Sequence, residues 1–239
     1  MVKDASHEAS DGGTPAAAEP TASRQAAPDP SASSMATVAG GDLLRRRVKA
    51  EIRKRMRGLR QTTPEAACAE RSRLLVERLA AHPRVAAARA AALFWPIVER
   101  HEVDLRALDA ILRARGASVF YPAIDPDSGM MTFRAVADPA VLAEAGYGFA
   151  EPPRDAAEAR PGEIDVVIVP ALAVDARGHR IGYGAGYYDR TLPRFAPPAE
   201  AIAVAFDFQL VSELPVVESD VAVRWVVTDR RVIDAREEG

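Results

Sequence analysis

Hydrophobic positions recur with two different periods along this chain. Leu44, Val48, Ile52, Met56 and Leu59 return at helical spacing with Arg45, Lys49 and Arg53 on an adjacent stripe, which predicts an amphipathic basic helix. Thr62, Thr63, Pro64 and Glu65 read as the start of a second helix, with Leu74, Leu75 and Leu79 on its core face and an end near His82 and Pro83. Residues 90–95 form a short apolar strand pattern, followed by a helical one through Val103, Leu108, Ile111 and Leu112 that stops at Gly116. With a further strand at residues 119–124, this is a βαβ pattern. A turn at residues 125–129 leads to residues 131–136, the expected return arm of a hairpin. Ile164, Val166, Val167, Ile168 and Val169, closed by Pro170, suit a strand buried on both faces of a parallel sheet, and residues 201–206 and 225–228 read as two more strands.

Composition changes this picture mainly at the start of the chain. Residues 1–41 contain no Leu, Ile, Phe, Tyr or Trp, so an unstructured Ala/Ser/Pro-rich leader is expected there, with one domain over residues 42–239 and Met35 as an alternative start. The leader lacks the apolar core of a signal peptide, and its acidic residues argue against an organelle transit peptide. No run approaches the ~18 apolar residues of a membrane span, and the single cysteine, Cys68, rules out an intramolecular disulfide. A cytoplasmic location fits best, with Cys68 as a packing residue in an Ala-rich helix. Net charge is −3, yet residues 42–60 hold nine Lys or Arg against two acids. Such local basicity points to an anionic ligand at one site, or to a solvated helix face, more than to a surface built for nucleic acid.

The densest chemistry lies in residues 164–192. Gly182, Gly184 and Gly186 alternate with Tyr183 and Ala185 just past the apolar strand and before a helical segment that opens Tyr187, Tyr188, Asp189. Glycines this close let successive amides converge on an anion, and the helix start adds its positive dipole end. Arg180 is placed to fork onto a phosphate, and Asp189 to hold a divalent cation beside it. The spacing is neither that of a Walker loop nor that of a dinucleotide fingerprint, and the same glycines also suit a plain tight turn.

The stretch VPALAVDARGHRIGYGAGYYDRTL closely resembles the signature of the 5-formyltetrahydrofolate cyclo-ligase family, and the resemblance extends over about residues 44–229. It implies a three-layer α/β/α fold with a mostly parallel sheet, similar to that of the sugar-phosphate isomerase and coenzyme A transferase group. It implies an ATP- and magnesium-dependent conversion of 5-formyltetrahydrofolate to 5,10-methenyltetrahydrofolate, with ADP and phosphate released. ATP contacts carried over by position are Arg45 and Lys49 on the first helix, then Arg180, Ile181, Gly182, Tyr183, Gly184, Ala185, Gly186, Tyr187 and Tyr188. Lys49 stands where the family usually has Arg, keeping charge but losing the bidentate fork. Lys49, Arg180 and Tyr188 are the expected catalytic groups, Glu102, Tyr147 and Tyr183 the folate-side contacts, and Asp189 with Asp220 the magnesium ligands. Glu99 competes with Glu102 for its role. Small-molecule partners only, a monomer, and no membrane or nucleic-acid partner are expected; the alternative is a non-catalytic nucleotide- or RNA-binding module.

Overall fold

The computed structural model describes residues 30–237, with side chains from residue 41 onward, and the described residues from 40 on form one compact unit. The first helix, α1 (Pro30–Thr62), begins inside the stretch expected to be unstructured, so the anticipated boundary at residue 41 falls within it. The rest of that leader expectation, residues 1–29, lies outside the described residues.

The core is a seven-stranded sheet. Its strands are β1 (Ala90–Ala92), β2 (Ser118–Ile124), β3 (Met131–Ala135), β4 (Val166–Pro170), β5 (Glu200–Val204), β6 (Trp225–Val227) and β7 (Val232–Asp234), in the order β7-β6-β5-β4-β1-β2-β3. Neighbours from β6 to β2 run parallel, while β3 and β7 are antiparallel edges. Strand residues alternate between two cores. Ala91, Val119, Val166, Ile168, Ile202 and Val204 meet Leu75 and Leu79 of α2 (Glu65–Ala81) and Leu108 and Leu112 of α3 (Arg106–Ala114). Ala90, Ala92, Val167, Val169, Ala201 and Ala203 meet Leu192 and Phe195 of α4 (Tyr187–Phe195). Burying both faces explains the unbroken β-branched run of β4. The result is the expected three-layer α/β/α arrangement.

Successive connections leave the centre in opposite directions, β1 through α3 to β2 and β4 through α4 to β5. The carboxyl ends of the adjacent strands β1 and β4 therefore diverge, which is where an open parallel sheet places its ligand crevice. A small second sheet of residues Ala173–Asp175, Arg180–Ile181 and Leu210–Val211 carries the glycine loop out of β4. This sheet was not legible as strands from the pattern.

Helix α1 stands apart from the two layers. Its Ile52 and Met56 pack on Leu172, Ala173, Ile181 and Leu214. The expected five-residue apolar face is not used as such: Leu44 is 63% exposed, Val48 41% and Leu59 40%. The helix instead turns basic side chains inward over the crevice, for the reason given by its partners below.

Candidate active site

A cleft of about 400 Å³ opens at the divergence of β1 and β4, floored by Phe94 just past β1 and Pro170 at the end of β4. Arg46, Lys49 and Arg53 of α1 form one wall, and the loop from Arg180 to Asp189 forms the opposite one. These α1 side chains are three and four residues apart, hence on one helical face.

Four loop positions carry the local geometry. Gly184 has φ +111° and Gly186 φ +69°, conformations in which a side chain is strained. A Cβ at Gly186 would lie 2.9 Å from the Arg190 guanidinium, and one at Gly184 3.4 Å from that of Arg53. Among the described residues, the amides of Tyr183, Gly184, Ala185 and Gly186 donate to no protein group, and they precede the amino end of α4. Unspent amides at a helix start favour an anion.

At one end of the cleft two carboxylates are held by two cations. Lys49, 6% exposed, pairs with Asp220 Oδ2, which also accepts from the Val217 amide at 2.8 Å. Arg180 donates to the Val221 carbonyl and, at 2.8 Å, to Asp189 Oδ1. The Arg180 side chain is only 4% exposed and burial lowers its proton affinity, against the pull of Asp189. Arg180 is therefore held in place by its own ion pair and by the Val221 carbonyl. Asp189 Oδ2 and Asp220 Oδ1 accept no hydrogen bond among the described residues. No group of three or more His, Cys, Asp or Glu placed to hold a metal ion by itself is present among them. Two carboxylates with one free oxygen each suit a magnesium ion that takes its other ligands from water and phosphate.

At the other end Glu102 is nearly buried. Its Oε2 accepts from the Ile97 amide at 3.0 Å, its Oε1 from the Tyr183 hydroxyl, and Arg60 Nη2 stands 3.7 Å away. Arg60 also donates to the Arg100 carbonyl at 2.6 and 3.0 Å and to the Tyr183 hydroxyl at 3.0 Å. Burial first, then the Glu102 charge, pushes the Tyr183 hydroxyl up to about 12. The turn delivering Glu102 contains His101 at φ 49°, an uncommon conformation stabilised by a 2.9 Å contact from its Nδ1 to the Arg60 carbonyl. Glu99 is exposed and does not line the cleft, so Glu102 is the carboxylate at this position.

Tyr147, Ile181, Gly182, Ala185 and Tyr187, all named from the sequence as ligand contacts, also line the cleft. The hydroxyl of Tyr188 is buried with no partner, and burial followed by the Glu102 charge raises its proton affinity. Arg45 is a correction: it is exposed, does not line the cleft and bonds Asp42 one turn earlier at 3.1 Å. The packing of Ile52 and Met56 rotates the helix so that Arg46, not Arg45, is the inward arginine. Sequence reasoning also missed Arg53, Arg60 and Arg100 at the cleft and its edge. Residues 46, 49, 53, 57 and 60 repeat at three- and four-residue steps, so the stripe was readable, but it was weighed as a solvated face.

A model of the 5-formyltetrahydrofolate cyclo-ligase family matches residues 45–229. The chain is 33% identical over 184 residues to the 5-formyltetrahydrofolate cyclo-ligase of Escherichia coli K12, covering 76% of this chain and 98% of that one. It is 48% identical over 98 residues to the enzyme of that name from Mycolicibacterium smegmatis, a match spanning 41% of this chain and half of the relative. The NMR structure of Aquifex aeolicus 5,10-methenyltetrahydrofolate synthetase superposes with a TM-score of 0.69 at 29% identity, over 79% of this chain and 93% of that one. On the family match and the near-complete coverage of the Escherichia coli relative, the chain belongs to the 5-formyltetrahydrofolate cyclo-ligase family.

Proposed function

We propose that the protein converts 5-formyltetrahydrofolate and ATP to 5,10-methenyltetrahydrofolate, ADP and phosphate in this cleft. The observation that carries the reading is the cleft's polarity: a phosphate-type cradle with two carboxylates at one end, and a buried acceptor, Glu102, at the other.

The formyl oxygen is a poor leaving group, so it attacks the γ-phosphorus and the bond to the β-phosphate oxygen breaks, releasing ADP. The second folate nitrogen then adds to the activated carbon, the carbon–oxygen bond to phosphate breaks, and the nitrogen's proton leaves with the phosphate. The attacking oxygen carries no proton, so the first step needs positioning and charge neutralisation rather than a general base. That matches a site with six cationic side chains and no histidine in its lining.

In this reading the loop amides and Arg180 hold the triphosphate, with Lys49 at its metal-bearing end. Asp189 and Asp220 would hold magnesium, which supplies neutralisation of phosphate charge. Glu102 accepts from the donor edge of the pterin, and Tyr147 and Tyr183 flank it. Formation of the methenyl product, followed by absorbance, should require 5-formyltetrahydrofolate, ATP and a divalent cation together. Product formation without ATP, or none with all three present, would overturn the proposal.

A further inference from the structure

The cations of the cleft are not equivalent. Lys49 is committed to Asp220, Arg180 to the Val221 carbonyl and Asp189, and Arg60 to the Arg100 carbonyl and Tyr183. Of the cleft arginines whose terminal nitrogens have no hydrogen-bond partner among the described residues, Arg46, Arg53 and Arg100, Arg53 is the one held in place, by its Nε on the Gly182 carbonyl at 3.0 Å. Among the described residues, neither of its terminal nitrogens has a hydrogen-bond partner and it has no carboxylate within ion-pair distance. Its guanidinium lies against Gly184, the loop residue whose φ of +111° brings the backbone close.

Position along α1 gives this free fork a meaning. At 1.5 Å per residue, Arg53 sits about 6 Å beyond Lys49 and about 10 Å short of Arg60 along the helix axis. Lys49 marks the carboxylate end of the cleft and Arg60 the Glu102 end. On the function proposed above, the transferred phosphoryl group leaves ADP at the first and reaches the formyl oxygen bound towards the second. It must therefore cross the interval that Arg53 faces.

We infer that Arg53 is a catalytic residue for phosphoryl transfer, its two terminal nitrogens contacting the equatorial oxygens of the γ-phosphoryl group between ADP and the formyl oxygen. Held by the Gly182 carbonyl, the fork is fixed before substrate arrives, so little reorganisation accompanies the step. Burial and the neighbouring Arg57 both work against its charge in the free protein, with Asp220 as a partial offset, and the negative charge of an arriving phosphoryl group compensates them further. The inference rests on the functional reading but is separable from it.

The test is Arg53→Gln, with Arg53→Lys as a variant that keeps the charge and loses the fork. For Arg53→Gln we expect kcat to fall on the order of 10²- to 10³-fold while the Kd values for ATP and for 5-formyltetrahydrofolate, measured separately, stay within about threefold. Arg53→Lys should recover only part of the rate. A readout independent of turnover is the inhibited complex with ADP, aluminium fluoride and 5-formyltetrahydrofolate, which mimics the phosphoryl group in flight: the wild-type protein should form it and Arg53→Gln should not, while still binding ADP. A kcat within threefold of wild type overturns the inference, as does an ATP affinity that falls as far as kcat, which would make Arg53 a loop anchor. Failure of the wild-type protein to make any methenyl product would instead defeat the functional reading.

Discussion

Replacing Tyr188 by Phe removes a single oxygen from a place where it is badly served. The hydroxyl is buried and has no hydrogen-bond partner, while the ring packs on Phe133 at a centroid distance of 6.5 Å and remains in place in the variant. A buried polar group left unpaired costs ~1–3 kcal/mol, so its deletion should stabilise the free protein. The ring is only half-buried, which argues for the lower part of that range, about 1 kcal/mol. For a domain of this size that corresponds to a rise in Tm of roughly 2–4 °C. Thermal unfolding followed by circular dichroism, without ligand, reads this directly. A second arm adds ATP, magnesium and 5-formyltetrahydrofolate: if the hydroxyl is unpaired because its partner is a ligand, the variant should gain less from ligands than wild type does, and its kcat should fall. A variant that melts more than about 2 °C below wild type without ligand would refute the reasoning, since the hydroxyl must then have been satisfied within the protein.

Glu102→Gln sets a donor against the Ile97 amide or the Tyr183 hydroxyl. It should cost ~1–3 kcal/mol of folate affinity by calorimetry, with ATP affinity nearly unchanged; equal losses for both would mean general damage. Arg180→Ala should destabilise by about 2–3 kcal/mol in urea unfolding, because it strands the Val221 carbonyl and the partly solvated Asp189. Unchanged urea midpoints would restore the purely functional role. Burial holds Glu151 above the ordinary glutamate value of 4.5, although the Ile124 amide partly offsets this. A raised folded-state pKa contributes stability below the unfolded value that is lost as pH rises, so Glu151→Gln should be more stable than wild type near pH 7 and equal to it near pH 4. Melting curves at both pH values decide it, and an equal difference at the two would rule out titration as the cause.

The sheet was readable because its strands are buried on both faces, so β2, β4, β5 and β6 stand out as apolar runs without alternation. The edge strand β7 and the two- and three-residue strands around the glycine loop were not, since pairs that short leave no period to detect. At the site, the glycine loop, Glu102 and the two aspartates were legible from their local chemistry and family likeness. Arg53 and Arg60 stood on a readable stripe, but the pattern alone did not say whether that stripe faces solvent or the cleft. The rotation of the helix is set by Ile52 and Met56 against residues more than a hundred positions later in the chain.

That long reach separates the making of the sheet from the making of the site. Neither of the two large hydrophobic cores draws on α1, whereas Lys49 and Asp220 are 171 residues apart in sequence, Arg53 and Gly182 129, and Arg60 and Tyr183 123. On the ribosome the basic helix emerges first and waits for nearly the whole domain before it has anywhere to dock. Once docked it is held by one small apolar cluster and a few polar contacts, so it belongs to the low-stability end of the molecule. Gentle heating should therefore silence the enzyme before the sheet melts, and hydrogen exchange should find the amides of α1 opening together while those of β4 stay protected.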